Sequence, residues 1–105
     1  MNIQFKKGVL ELFVLAMLKR NDQYGYDISD YISKQISISP GTVYPILRKL
    51  KDEGIVTTYL SEQSSGPARK YYQLTKKGHD KYESLSKEWN EFINITKFFL
   101  EEKHE

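Results

Sequence analysis

The feature that most limits this chain is an apolar seam near its C-terminus. Tyr82, Leu85, Trp89, Phe92, Thr96 and Phe99 are spaced 3, 4, 3, 4, 3. That alternation is the a/d signature of a helix packed lengthwise on another helix. Ile93 and Leu100 widen the stripe, and Ile95 and Phe98 add apolar surface beside it. Thr75 is a suitable N-cap, so the helix is expected to run from there to about Glu102. At 1.5 Å per residue it is about 40 Å long. A chain of 105 residues has too little other surface to cover it. The simplest cover is the same helix of a second copy, so the seam predicts a two-fold homodimer.

The residues before the seam read as three short helices and a hairpin. The first helix spans about Lys7 to Arg20, with Val9, Leu10, Phe13, Val14, Met17 and Leu18 at helical spacing. Leu12 and Leu15 make it apolar nearly all round, the pattern of a helix buried on most sides. Its run "GVLELFVLAML" resembles the apolar region of a signal peptide. Glu11 interrupts that run and no small-x-small cleavage site follows, so a buried helix is expected. The run is also too short to span a bilayer, and no membrane partner is expected.

"RNDQYG" ends the first helix with turn chemistry. A second, amphipathic helix is expected from about Tyr24 to Gln35, with Tyr24, Ile28, Tyr31 and Ile32 on one face. After the turn "ISIS" comes "SPGTVYPILRKLKDEGIV". Here Ser39 suits the N-cap, Pro40 the first helical position, and Gly54 the C-terminal stop. Val43, Ile46, Leu47 and Leu50 form the buried stripe. Pro45 crowds the carbonyl of Gly41 and donates no amide, which is cheap only in a first turn. Either the regular helix begins near Gly41 or Thr42, or its first turn is loose. Both readings leave free amides where a phosphate is well received.

In "IVTTYLSEQSSGPARKYYQLT", Val56, Thr58 and Leu60 alternate with Thr57, Tyr59 and Ser61, and Lys70, Tyr72 and Leu74 alternate with Arg69, Tyr71 and Gln73. The intervening "EQSSGPA" is turn chemistry, so the segment is a β-hairpin with a long tip. The whole is mainly α with a β-hairpin: a winged helix-turn-helix followed by a long C-terminal dimerisation helix. Residues 1–75 would form the winged unit and 76–105 the dimerisation helix, as one compact body. In that architecture the third helix is the recognition helix and the hairpin is the wing.

Charge agrees with this division. Residues 61–81 hold five Lys/Arg against two Asp/Glu, whereas residues 82–105 hold three against six. A basic middle suggests an anionic partner there and a different task for the acidic end. The absence of cysteine excludes disulfides and thiolate metal sites, and a cytoplasmic setting is expected. His79 and His104 have no metal-ligand spacing to another candidate. No nucleophile–base set, phosphate loop or carboxylate dyad appears, so no enzyme activity and no cofactor are expected.

"SPGTVYPILRKLKDEGIV", "ARKYYQLTKKGHDKYESLSKEW" and "YGYDI" resemble the PadR family of bacterial transcriptional regulators, from about Val9 to Trp89. The single long C-terminal helix is similar to the short subfamily. The resemblance implies that this helix makes the dimer and that Thr42, Tyr44 and Arg48 contact double-stranded DNA. It also implies an effector site for small hydrophobic or aromatic molecules at the dimer interface, built from Trp89, Phe92, Phe13 and neighbours. A seam aromatic is equally at home as plain packing.

The residue chemistry points the same way. Tyr44 and Arg48 lie four apart on one face, and arginine in a major groove most often reads guanine. Lys49 and Lys51 suit phosphates. Gly66 shapes the wing tip, while Arg69 and Lys70 bring charge beside it, for the minor groove or the backbone. Lys76 and Lys77 open the last helix, where positive charge is mildly unfavourable unless a phosphate is near. Two such heads in a dimer would bind an inverted-repeat operator. A rival reading keeps the fold but uses it as a protein-interaction module, with no need of Tyr44, Arg48 and Arg69 on one surface.

Overall fold

The computed structural model describes residues 3–62 and 66–101, with side chains described from Val9 onward. The elements are α1 (Ile3–Arg20), β1 (Gln23–Tyr24), α2 (Gly25–Ile36), a 3-10 turn over Pro40–Thr42, α3 (Val43–Asp52), β2 (Val56–Ser61), β3 (Arg69–Leu74) and α4 (Lys76–Leu100). This is the winged-helix order, with one strand more than expected. α1 is the central post. Leu10, Val14, Leu15 and Leu18 are buried, and the helix touches α2, α3, α4 and β3.

α2 presents Gly25, Ile28, Ser29, Ile32 and Ser33 to the interior. Tyr31, expected on that face, is 54% exposed. The buried stripe is turned toward the small serines because α2 lies close to the 3-10 turn, where the Ser29 hydroxyl donates to the Pro40 carbonyl at 2.6 Å. Tyr24 also leaves the expected helix face. It belongs to β1, and Gly25 follows it because a Cβ there would come 2.9 Å from the Tyr72 ring.

α3 resolves the two readings of its start in favour of a loose first turn. Pro40–Thr42 is 3-10, and regular helix begins at Val43, which leaves Pro45 at its third position. An amide there would be an orphan of the first turn, so the proline costs little. Ser39 makes no side-chain cap, and the Thr42 amide is already taken by the Ser39 carbonyl at 3.0 Å. Val43, Leu47 and Leu50 are buried, with Ile46 at the core margin. Gly54 has φ 74°, the left-handed conformation that stops a helix.

The sheet is antiparallel in the order β1-β3-β2, pairing Val56 with Leu74 through to Ser61 with Arg69. Gln23 and Tyr24, read as turn residues, pair with Tyr72 and Tyr71 on the other edge of β3. Val56, Tyr72 and Leu74 face the core. Leu60 shares their side of the sheet but lies beyond the core, 70% exposed.

α4 starts as expected. The Thr75 hydroxyl accepts from the Gly78 amide at 3.1 Å and donates to the Gly54 carbonyl at 2.7 Å. Lys77 Nζ donates to the Glu53 carbonyl at 2.7 Å, at the C-terminal end of α3. The seam then divides. Tyr82 and Leu85 pack on the chain's own core, whereas every side chain from Asn90 to Leu100 is exposed. The last turns overhang the body, and the whole chain measures 61 × 29 × 21 Å.

Candidate nucleic-acid interface

The exposed face of α3 carries Tyr44, Arg48 and Lys51, spaced as one helical stripe. β3 brings Lys70 alongside. These four line a groove of about 480 Å³ with Tyr24, Tyr26 and Tyr72, and Asp52 stands at its edge. Tyr72 forms the floor. Burial pushes its phenol above the usual range, Tyr44 adds to that, and Arg48 opposes it, so it is uncharged at neutral pH. Lys70 Nζ sits 6.0 Å from the Tyr72 ring centre.

The groove's cations are uncompensated. Arg48, Lys51 and Lys70 make no ion pair among the described residues. Elsewhere Lys19 pairs with Glu83, Lys34 with Asp30, Lys49 and Lys81 with Glu11, and Lys76 with Asp80. A concave surface whose positive charges lack internal partners holds out those charges to an anion.

The other expected contacts are not all gathered there. Lys49 points toward α1, where Glu11 holds it at 3.3 Å and raises its pKa by hydrogen bond and charge. The charge that grouped it with Lys51 as a phosphate contact could not reveal a partner 38 residues away. Thr42 is half-buried in the 3-10 turn, outside the groove lining. Gly66 lies exposed at the wing tip, and residues 63–65 of that tip fall outside the described residues. Lys77, expected to await a phosphate, instead spends its charge on the carbonyl end of α3, which the helix dipole makes negative.

Arg69 and Lys70 diverge. Lys70 joins the groove, while Arg69 takes the outer face of the sheet, its guanidinium 5.1 Å from the Tyr24 ring centre. On that face Tyr24, Tyr71 and Tyr59 stack across all three strands, with centroids 6.2 Å and 5.8 Å apart. Alternation alone places Tyr59 and Tyr71 together. Tyr24 joins them only once β1 is known, and this ladder was not foreseen.

Among the expected interface residues, Phe13, Tyr82 and Leu85 are partly buried against the chain's own core. Trp89 meets Phe92 edge-on at 5.9 Å, and with Glu88 they line a shallow hollow of about 340 Å³. Phe92 is 58% and Phe99 61% exposed, with Ile93 exposed between them. The Thr96 hydroxyl is satisfied by the Phe92 carbonyl at 2.8 Å. His79 is exposed, His104 lies outside the described residues, and no metal-binding cluster occurs among the described residues. No described helix is long and apolar enough to cross a membrane.

Residues 14–84 match the family described as the transcriptional regulator PadR-like family. A crystal structure of a PadR-like transcriptional regulator from Bacillus cereus superposes with TM-score 0.84 at 32% identity, covering 92% of this chain and 96% of that one. The negative transcriptional regulator PadR of Bacillus subtilis is 34% identical over 67% of this chain, which spans only 41% of that relative's length. The crystal structure of Bacillus subtilis PadR in complex with operator DNA aligns with TM-score 0.62 at 30% identity, covering 72% of this chain and 45% of that one.

Proposed function

The chain belongs to the PadR-like family of transcriptional regulators, and on that footing we propose that it is a homodimeric, sequence-specific DNA-binding repressor acting in the cytoplasm. The observation that carries the proposal is the uncompensated groove between α3 and the wing. Relatives that resemble the chain over most of its length are regulators rather than enzymes.

In this reading α3 enters the major groove. Arg48 reads base edges, where a guanidinium matches guanine O6 and N7. Tyr44, Lys51 and Lys70 take phosphates and fix the register. Thr42 sits at the head of the same helix, and Gly66 with Arg69 brings the wing to the flanking backbone. The α4 seam of one copy covers that of a second, burying Phe92, Ile93 and Phe99. Two heads then meet an inverted repeat with half-sites about 34 Å apart. That the Bacillus subtilis relative is named a negative regulator favours repression.

Selection of binding sites from a random duplex pool at two salt concentrations tests the assignment. An enriched inverted repeat that weakens steeply with salt is the expected outcome. A pool that enriches nothing would favour the protein-interaction reading of the same fold.

The same proposal includes an effector. Trp89 and Phe92 of two copies would hold a flat hydrophobic or aromatic compound by stacking and cation–π attraction. Saturable quenching of the single tryptophan by one member of a planar drug panel is expected. A flat response across the panel would leave Trp89 to dimer packing alone.

A further inference from the structure

The wing's outer face holds a built feature that the DNA-binding reading does not itself require. Tyr24, Tyr71 and Tyr59 stack as a ladder from β1 through β3 to β2, at interplanar angles of 30° and 22°. The far end is pinned. Tyr59 Oη donates to Asp22 Oδ2 at 2.7 Å, and Gln73 Nε2 donates to the same oxygen at 3.2 Å. Asp22 lies just before β1, so this contact ties the first strand of the sheet to the last. The near end carries a cation. Tyr24 pairs with Tyr71, which puts Arg69 diagonally across the ladder from it, within reach of its ring. The guanidinium stands 5.1 Å from the centre of that ring, and among the described residues no carboxylate pairs with it.

We propose that Tyr24 is a positioning residue for DNA binding: its ring, braced by Tyr71, Tyr59 and Asp22, holds the Arg69 guanidinium in place before DNA arrives. An exposed arginine is among the most costly side chains to order on binding. A guanidinium held over an aromatic face has lost part of that freedom beforehand, while its five N–H donors remain available for hydrogen bonds. The platform therefore prepares the wing to grip the backbone or minor groove beside the site read by α3. Lys70, one residue on, is held over Tyr72 on the opposite side of the sheet, in the groove whose wall Tyr24 also lines.

The inference rests on the DNA-binding reading, and a double-mutant cycle on the selected operator separates the two. The variants are Tyr24→Met, which keeps bulk but removes the π face, Tyr24→Phe, Arg69→Ala and the Tyr24→Met/Arg69→Ala pair. Tyr24→Met is expected to weaken binding about twofold to fivefold, the worth of an exposed cation–π contact. It should cost clearly less in the Arg69→Ala background, and Tyr24→Phe, which keeps the ring, should lose less than Tyr24→Met. The Arg69 Nε resonance of the free protein should also lose its ring-current shift in Tyr24→Met and keep it in Tyr24→Phe. If Tyr24→Met does not fold, Tyr24→Leu takes its place in the cycle. Equal losses in both backgrounds would reduce Tyr24 to a structural role and overturn the proposal. An Arg69→Ala protein that binds normally while Arg48→Ala does not would overturn the proposal and leave the DNA reading standing. Normal binding by both arginine variants would overturn the DNA reading itself.

Discussion

Replacing Gly78 by alanine is expected to destabilise the protein by about 3 kcal/mol or more, although alanine is the better helix former. Gly78 is buried in the first turns of α4, where the helix crosses the α3–β2 turn. A Cβ there would lie far inside contact distance of the Ile55 carbonyl oxygen and 3.0 Å from Leu74 Cδ2. The obstacle is backbone and cannot rotate away. Relief would need α4 to lift, breaking the bonds that Thr75 and Lys77 make to Gly54 and Glu53. Urea unfolding would show this as a lower midpoint with little change in slope. Gly41→Ala is the control. That glycine is exposed, with Ser39 Oγ at 3.9 Å as its nearest neighbour, so the change should stay within about 1 kcal/mol. If Gly78→Ala proved as stable as the parent, α4 could not approach Ile55 as described.

Arg48→Ala should weaken binding to the selected operator by about 1–3 kcal/mol, roughly fivefold to 150-fold, and relax preference at one base pair of each half-site. Lys51→Ala should instead weaken all sequences alike and reduce the salt slope by about one. Lys49→Ala should do little to DNA, because its charge is already engaged by Glu11 on α1. Fluorescence titration with labelled duplex at fixed salt distinguishes the three. Wild-type affinity in Arg48→Ala would remove the α3 groove as the base-reading surface.

These expectations also mark what could be read from the chain before folding. Local signals were legible. Thr75 caps α4 and Gly54 ends the turn after α3, because a hydroxyl cap and a left-handed glycine act on their immediate neighbours. The alternation in "VTTYLS" and "RKYYQL" told which residues share a face of the hairpin, because period two fixes the face of every residue. Long-range choices were not legible. Gln23 and Tyr24 look like turn chemistry and become a strand only because β3 has a free edge beside them. Lys49 and Lys51 look alike as cations of one helix, and Glu11 separates them. The 3-4 seam of α4 reads as continuous, yet Tyr82 and Leu85 fall within reach of the chain's own core while Phe92 and Phe99 do not. Periodicity reports which residues share a face and is silent about what that face meets.

The joint at the start of α4 has a mechanical meaning. Thr75, Lys77 and Gly78 rivet the first turn of a 25-residue helix to the trailing end of α3. Tyr82 and Leu85 fix α4 to the core a second time, and only the turns from Asn90 to Leu100 stand clear. That overhang is about 16 Å long at 1.5 Å per residue. In the proposed dimer, two such helices joined over their overhanging turns would fix the distance between the two α3 grooves, because each α4 is bonded directly to the trailing end of α3.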